Sequence, residues 1–289
     1  MTFHTLISAQ NLQLHLHDPN WVVIDCRHEL SDPAAGRTAY AADHIPGALF
    51  AHLDTDLAGD TSAADGRFRG RHPLPDIDRF IDTLRRLGIN QASQVIAYDA
   101  HGGMFAARLW WMLRWVGHES VAVLDGGLAA WIADGGALSS ALPTARPGDI
   151  VLKPTLTSTV GVNDLLANLT SQSDDAVTVV DARAPDRYRG ENETLDPLGG
   201  HIPGAKNRFF KDNLQANGRF KPAAQLRADF SSLIPVPQRS AMQCGSGVTA
   251  CHNLLALEVA GLHGAALYPG SWSEWCSDAT RPLARGGAS

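Results

Sequence analysis

The chain has 289 residues, 44% hydrophobic and 19% charged, with a formal net charge of −6 at pH 7. That length suits one large or two ordinary domains, and no stretch approaches the roughly 18 consecutive apolar residues of a membrane span. The acidic balance speaks against nucleic acid as a partner, because phosphate binding calls for a basic face.

Residues 1–5 lack the basic start and apolar core of a secretory signal. The four cysteines, at positions 26, 244, 251 and 276, follow neither CxxC metal spacing nor a disulfide framework. A reducing cytoplasm is the expected setting. The twelve histidines are scattered without ligand spacing, so no metal is expected.

Taken in order, the chain says much the same thing twice. An apolar strand at 21–25 ends in Asp25 and is followed by Cys26-Arg27; the same pattern returns 156 residues later at Asp181-Ala182-Arg183. His44-Ile45-Pro46-Gly47-Ala48 recurs as His201-Ile202-Pro203-Gly204-Ala205, and Gly117, Gly126 and Trp131 recur at an offset of 144 as Gly261, Gly270 and Trp275. The offset shrinks because the first copy carries extra residues between about 54 and 75. In the first copy, strands are expected at 22–25, 95–98 and 121–124, and helices at 77–87, 105–115 and 128–134. In the second, strands are expected at 177–181, 240–243 and 265–268. Such alternation predicts α/β domains, each a mainly parallel sheet flanked by helices. The expected division is a first domain over 1–142, a linker over 143–157 rich in proline, and a second domain over 158–289.

One stretch stands out for chemistry. Cys244-Gly245-Ser246-Gly247-Val248-Thr249-Ala250 follows the expected strand 240–243 and opens an expected helix over 248–260, which Gly261 stops. Glycines at 245 and 247 let successive N–H groups turn toward one centre, and the helix N-terminus adds partial positive charge there. Such a setting favours a thiolate nucleophile at Cys244. Cys26, Cys251 and Cys276 lack it and read as structural. The offset of 144 from Cys244 lands on Ala100, so the first copy is expected to be a partner without the thiol.

The seven residues 244–250 resemble the active-site loop of the 3-mercaptopyruvate sulfurtransferases, within the two-domain rhodanese superfamily. The resemblance extends over nearly the whole chain and implies two tandem rhodanese-like domains. It implies sulfur transfer through a Cys244 persulfide, from 3-mercaptopyruvate to cyanide, a small thiol or a thioredoxin-like protein, without a cofactor. Backbone N–H groups of Gly245, Gly247, Val248 and Thr249 would hold the sulfur anion. Thiosulfate:cyanide sulfurtransfer by the same cysteine, and a non-enzymatic persulfide carrier, stand as alternatives. A related phosphatase would need a longer loop closed by arginine, where Ala250 stands.

The same resemblance assigns Arg187 to the substrate carboxylate, which its fork can grip in a way lysine cannot. Arg183 and Arg189 read as architectural or solvated. It also implies a serine–histidine–aspartate relay through Ser246, His72 and Asp54, with His72 reading equally as a loop residue. Animal mercaptopyruvate enzymes carry a second substrate arginine just before His-Ile-Pro-Gly, whereas residues 191–200 contain no basic residue. Affinity would then rest on Arg187, on amides or on an arginine from elsewhere. Thiosulfate-specific enzymes usually carry two basic residues where this chain has Gly245 and Ser246, so the loop itself is expected to offer no side-chain cation. The paired His-Ile-Pro-Gly motifs are expected to fix loops, and Trp272 to line the cleft or fill the core.

Overall fold

The computed structural model describes residues 2–171, 173 and 176–287; the outermost ends of the two expected domains, residues 1 and 289, lie outside them. These described residues form two compact units, one of those within 2–59, 75–156 and 214–220, the other of those within 60–74, 157–213 and 221–287. In the first, the strands are β1 (Leu6–Ile7), β2 (Trp21–Asp25), β3 (Leu49–Phe50), β4 (Gln94–Tyr98) and β5 (Val121–Leu124). In the second they are β6 (Ser158–Thr159), β7 (Thr178–Asp181), β8 (Lys206–Asn207), β9 (Ser240–Gln243) and β10 (Ala266–Leu267). The first sheet runs β1-β5-β4-β2-β3 and the second β6-β10-β9-β7-β8, with every pairing parallel.

The α/β reading holds in both copies. Expected helices appear within a residue of each end, as Ile77–Arg86, Ala106–Trp115, Gly127–Ala133 and Thr249–Val259. Four edge strands, β1, β3, β6 and β8, were not anticipated. At two residues each they are too short to display alternation. The central strands are buried throughout, β4 and β9 along their whole length, as parallel strands covered on both faces must be.

The units differ from a plain cut at 143–157 in two segments. Residues 60–74, the extra loop of the first copy, fold with the second unit; residues 214–220 fold with the first. Each makes a small hairpin, bridged at Ser62 and Phe68 in one and at Leu214 and Phe220 in the other. The first is docked by close approach: Gly70, at φ +98°, lies so near Gly270 that a methyl group there would sit 2.7 Å from the Gly270 carbonyl oxygen. Beside it, the Arg71 N–H donates to Ser273 Oγ at 3.1 Å. In the other unit, the Phe220 N–H donates to Asp125 (2.8 Å) and Arg219 pairs with Asp134 (2.9 Å).

The repeated motifs prove architectural. Arg27 clasps Asp25, and Arg183 clasps Asp181 at 2.7 Å. Each also donates to a carbonyl ahead of His-Ile-Pro-Gly, Asp43 in one copy and Gly200 in the other. His44 stacks on Tyr40 and bonds its carbonyl at 2.7 Å; His201 does the same on Tyr188 at 2.8 Å. Trp272 is fully buried in the core of the second unit, its Nε1–H donating to the Leu198 carbonyl.

Candidate active site

Cys244 follows β9, the central strand, from which the chain moves to β10 on one side whereas from neighbouring β7 it moves to β8 on the other; at such a reversal α/β sheets place their ligands, beyond the carboxyl ends of the strands. Its Sγ accepts from the Gly247 N–H at 3.1 Å and the Ser246 N–H at 3.5 Å, and the helix Thr249–Val259 begins two residues on. Converging N–H groups and a helix N-terminus stabilise negative charge on the sulfur. The two glycines play different parts. Gly247 has φ +76° and would clash with the Pro269 carbonyl if it carried a side chain, so the curl depends on it. Gly245 lies outside the left-handed region and leaves room for neighbouring side chains instead.

The loop is fastened from below by the short helix Ser271–Trp275. The Cys244 N–H donates to Ser271 Oγ (3.1 Å), whose hydroxyl donates on to the Tyr268 carbonyl (2.9 Å). The Cys244 and Gly245 carbonyls accept from the N–H groups of Trp272 and Ser273, each at 2.9 Å. Ser271 has φ +54°, the one non-glycine residue with positive φ among the described residues. A strained backbone of this kind persists where surrounding bonds over-determine it. Sequence inspection missed Ser271, although the counterpart of Gly270-Ser271 in the first copy is Gly126-Gly127, which hints at an unusual backbone.

The structure brings His72 and Ser246 together. His72 Nδ1 lies 2.8 Å from Ser246 Oγ, both side chains being buried. Asp54 belongs to the first unit, where its N–H donates to His52 Nδ1 at 3.1 Å. There His28, His52 and Asp54 offer ligand-type atoms within 4.8 Å of one another, a grouping that sequence spacing did not reveal. Both ring nitrogens of His52 already face backbone groups, the Asp54 N–H and the Pro33 carbonyl, which suits a loop anchor.

An arginine from elsewhere, one of the alternatives left open, does stand beside Arg187: two guanidiniums converge on Gly245. A methyl group at Gly245 would lie 2.8 Å from Arg71 Nη2, and 3.5 and 3.7 Å from Arg187 Nη2 and Nη1. Arg71 sits next to His72 in the docked segment 60–74, and its adjacency to a candidate relay histidine was the available signal. The arginine fork is also engaged: Arg187 Nε and Nη2 donate to Glu193 at 2.8 to 3.1 Å. Arg71 pairs with Asp196, whose other oxygen lies 3.5 Å from Arg187 Nη2. Stretch 191–200 therefore brings carboxylates to the site. Burial opposes ionisation of Glu193, yet bonds from Arg187 and from the N–H groups of Leu195 and Asp196 hold it below its ordinary value. Burial pushes Asp196 up, against the pull of Arg71 and Arg187.

The other cysteines lack this environment. Burial, with Asp25, Asp99 and Asp56 nearby, raises the Cys26 thiol well above its ordinary value. Burial pushes Cys276 up to about 11. Cys251 is fully buried within its helix, donating to the Gly247 carbonyl.

The first copy needs a correction. Strand pairing aligns Tyr98 opposite Asp25 and Gln243 opposite Asp181, so the counterpart of Cys244 is Asp99 and not Ala100. The offset is 145 at the strand end and falls to 144 only at the glycine turn that follows. Asp99 fills its own loop: Oδ1 accepts from the N–H groups of His101 and Gly103, and Oδ2 from those of Phe105 and Ala106, all at 2.7 to 2.9 Å.

Comparisons with known proteins agree with this geometry. The rhodanese-like domain family matches residues 8–134 and again 162–278. A probable 3-mercaptopyruvate sulfurtransferase of Pseudomonas aeruginosa is 46% identical over 99% of this chain and 100% of its own length. The human 3-mercaptopyruvate sulfurtransferase is 37% identical, over 91% of this chain and 84% of its own. Among solved structures, SseA from Escherichia coli, a 3-mercaptopyruvate sulfotransferase, superposes with a TM-score of 0.78 at 32% identity, covering 94% of this chain and 100% of that one. With its domain present twice and the loop cysteine in the second copy, the chain belongs to the rhodanese family.

Proposed function

We propose that the protein is a 3-mercaptopyruvate sulfurtransferase acting through Cys244. The observation that carries this reading is the convergence of two N–H groups on Cys244 Sγ and of the Arg71 and Arg187 guanidiniums on the adjacent Gly245. The Cys244 thiolate attacks the sulfur of 3-mercaptopyruvate and an S–S bond forms. The C3–S bond breaks, its electron pair leaving on C3 as the enolate of pyruvate. That carbon takes up one proton, and pyruvate departs. Ser246 Oγ, bonded to His72, is the path for this proton, by the logic of a hydroxyl backed by an imidazole.

The Ser246 and Gly247 N–H groups that face Cys244 Sγ, with the loop amides from Gly245 to Thr249 around them, hold the persulfide anion. Cyanide, a small thiol or a reduced thioredoxin-like protein then attacks the outer sulfur and regenerates Cys244. The substrate carboxylate lies between Arg187 Nη1 and Arg71 Nη2, since Glu193 occupies the Arg187 fork. No cofactor takes part, and the reaction belongs in the cytoplasm. None of the four cysteines forms a disulfide, and no described helix is long and apolar enough to cross a membrane.

Thiosulfate as donor is the second reading, favoured by a mouse thiosulfate sulfurtransferase 35% identical over 92% of this chain. The test is kcat/KM for each donor with cyanide as acceptor, since specificity is differential transition-state binding. A higher value for 3-mercaptopyruvate supports the assignment. No turnover of it, or a higher value for thiosulfate, overturns it.

A further inference from the structure

Three guanidiniums and three carboxylates meet beside the Cys244 loop, all within the second unit. Arg183 holds Asp181 and reaches Glu193 at 3.3 Å; Arg187 holds Glu193; Arg71 holds Asp196. Their formal charges cancel. Glu193 and Asp196 each have side chains only 3% exposed, whereas Arg71 and Arg187 are 26% and 21% exposed. The acids thus stand behind the arginines, and the arginine edges face outward. Asp196 Oδ2 accepts no hydrogen bond among the described residues; it lies 3.5 Å from Arg187 Nη2. Fold maintenance normally requires a buried carboxylate oxygen to be bonded, so this oxygen contributes chiefly charge.

Resting on the reading of 3-mercaptopyruvate as donor, we propose that Glu193 and Asp196 are specificity-determining residues that limit the site to singly charged donors. Each offsets one of the two guanidiniums at Gly245. A donor carboxylate can still bridge the two outward N–H edges. A dianion such as thiosulfate, approaching a thiolate that is itself negative, finds no surplus positive charge to offset the added repulsion. Glu193 also steadies the architectural Arg183, which makes Asp196 the acid whose charge can be removed with less disturbance.

The test compares the ratio of kcat/KM for thiosulfate over 3-mercaptopyruvate in the parent, in Asp196→Asn, and in Asp196→Asn combined with Arg71→Gln. The ratio should rise about tenfold in Asp196→Asn, shrink toward parent as salt is raised, and lose the gain when Arg71 is also replaced. An unchanged or lower ratio in a folded Asp196→Asn variant would overturn the proposal. So would a gain that survives loss of Arg71. If Asp196→Asn does not fold, the parent supplies the test through protection of Cys244 from iodoacetamide. Pyruvate should protect at lower concentration than sulfate, and equal or better protection by sulfate would count against the proposal. A parent that turns over no 3-mercaptopyruvate would instead defeat the donor assignment on which the proposal rests.

Discussion

Two loops in this molecule leave corresponding strands, β4 and β9, each central in its own sheet, and turn into corresponding helices, yet one holds Asp99 and the other Cys244. In the first unit the turn closes on a carboxylate that takes four backbone N–H bonds. In the second it closes on a sulfur that takes two, at longer distance. The turn is an anion cradle in both. With a carboxylate built in, its donors are matched by short charge-assisted bonds and the loop is finished as structure. In the proposed mechanism the sulfur of the second loop is the nucleophile, and the same donors follow the charge onto a second sulfur atom.

The sharpest way to break the comparison is at the two anions. Cys244→Ser should lower sulfur transfer by about a thousandfold or more while leaving the circular dichroism spectrum intact, because a hydroxyl suits the same cradle without the nucleophile. Cys251→Ser should retain transfer, and loss of activity there with retention in Cys244→Ser would refute the assignment. Asp99→Ala should do the reverse. Leaving buried N–H groups unmatched should cost about 3 kcal/mol, read as a lower denaturation midpoint, with little change in kcat once the protein is folded.

A smaller effect is expected at the arginines, which the Asp99 loop has no need of. Arg71→Gln and Arg187→Lys should each raise KM for 3-mercaptopyruvate about tenfold, since each removes or misaligns one guanidinium edge. Parent-like KM in both would place the substrate carboxylate elsewhere.

The smallest effect concerns the fastening beneath each loop. Gly127 and Ser271 share a positive φ, +58° and +54°, and the serine gives its Oγ to the loop cysteine N–H. Ser271→Gly relieves the strain and loses that bond; Ser271→Ala keeps the strain and loses it too. Both should lower kcat/KM several-fold, by about 1 kcal/mol. In thermal denaturation the glycine variant should be the more stable of the two by about 1 kcal/mol. Equal stabilities, or full activity in both, would remove Ser271 from the account.

Much of this was legible in the chain because duplication supplies its own control. His-Ile-Pro-Gly and the Asp-x-Arg strand end appear in both copies, so their role had to be one that a copy without a thiol also needs. Cys244 appears once, in a glycine turn between strand and helix. What escaped reading was set by contacts distant in sequence. Arg71 reaches Gly245 only because segment 60–74 folds with the second unit. Glu193 and Asp196 looked like the absence of an arginine and proved to be partners of two. Asp99 was hidden by a one-residue change of offset that strand register alone resolves. Ser271 looks ordinary in sequence, and its φ is visible only in the backbone.

The central claim is that the anion of the second loop is a sulfur carrier and that of the first is not. Incubating the protein with 3-mercaptopyruvate and no acceptor, then mapping peptide masses under non-reducing conditions, tests it directly. The account predicts one added sulfur atom per chain, confined to the peptide containing Cys244, with one pyruvate released for each. Pyruvate release with no sulfur retained, or sulfur found on Cys26, Cys251 or Cys276 in place of Cys244, would contradict it.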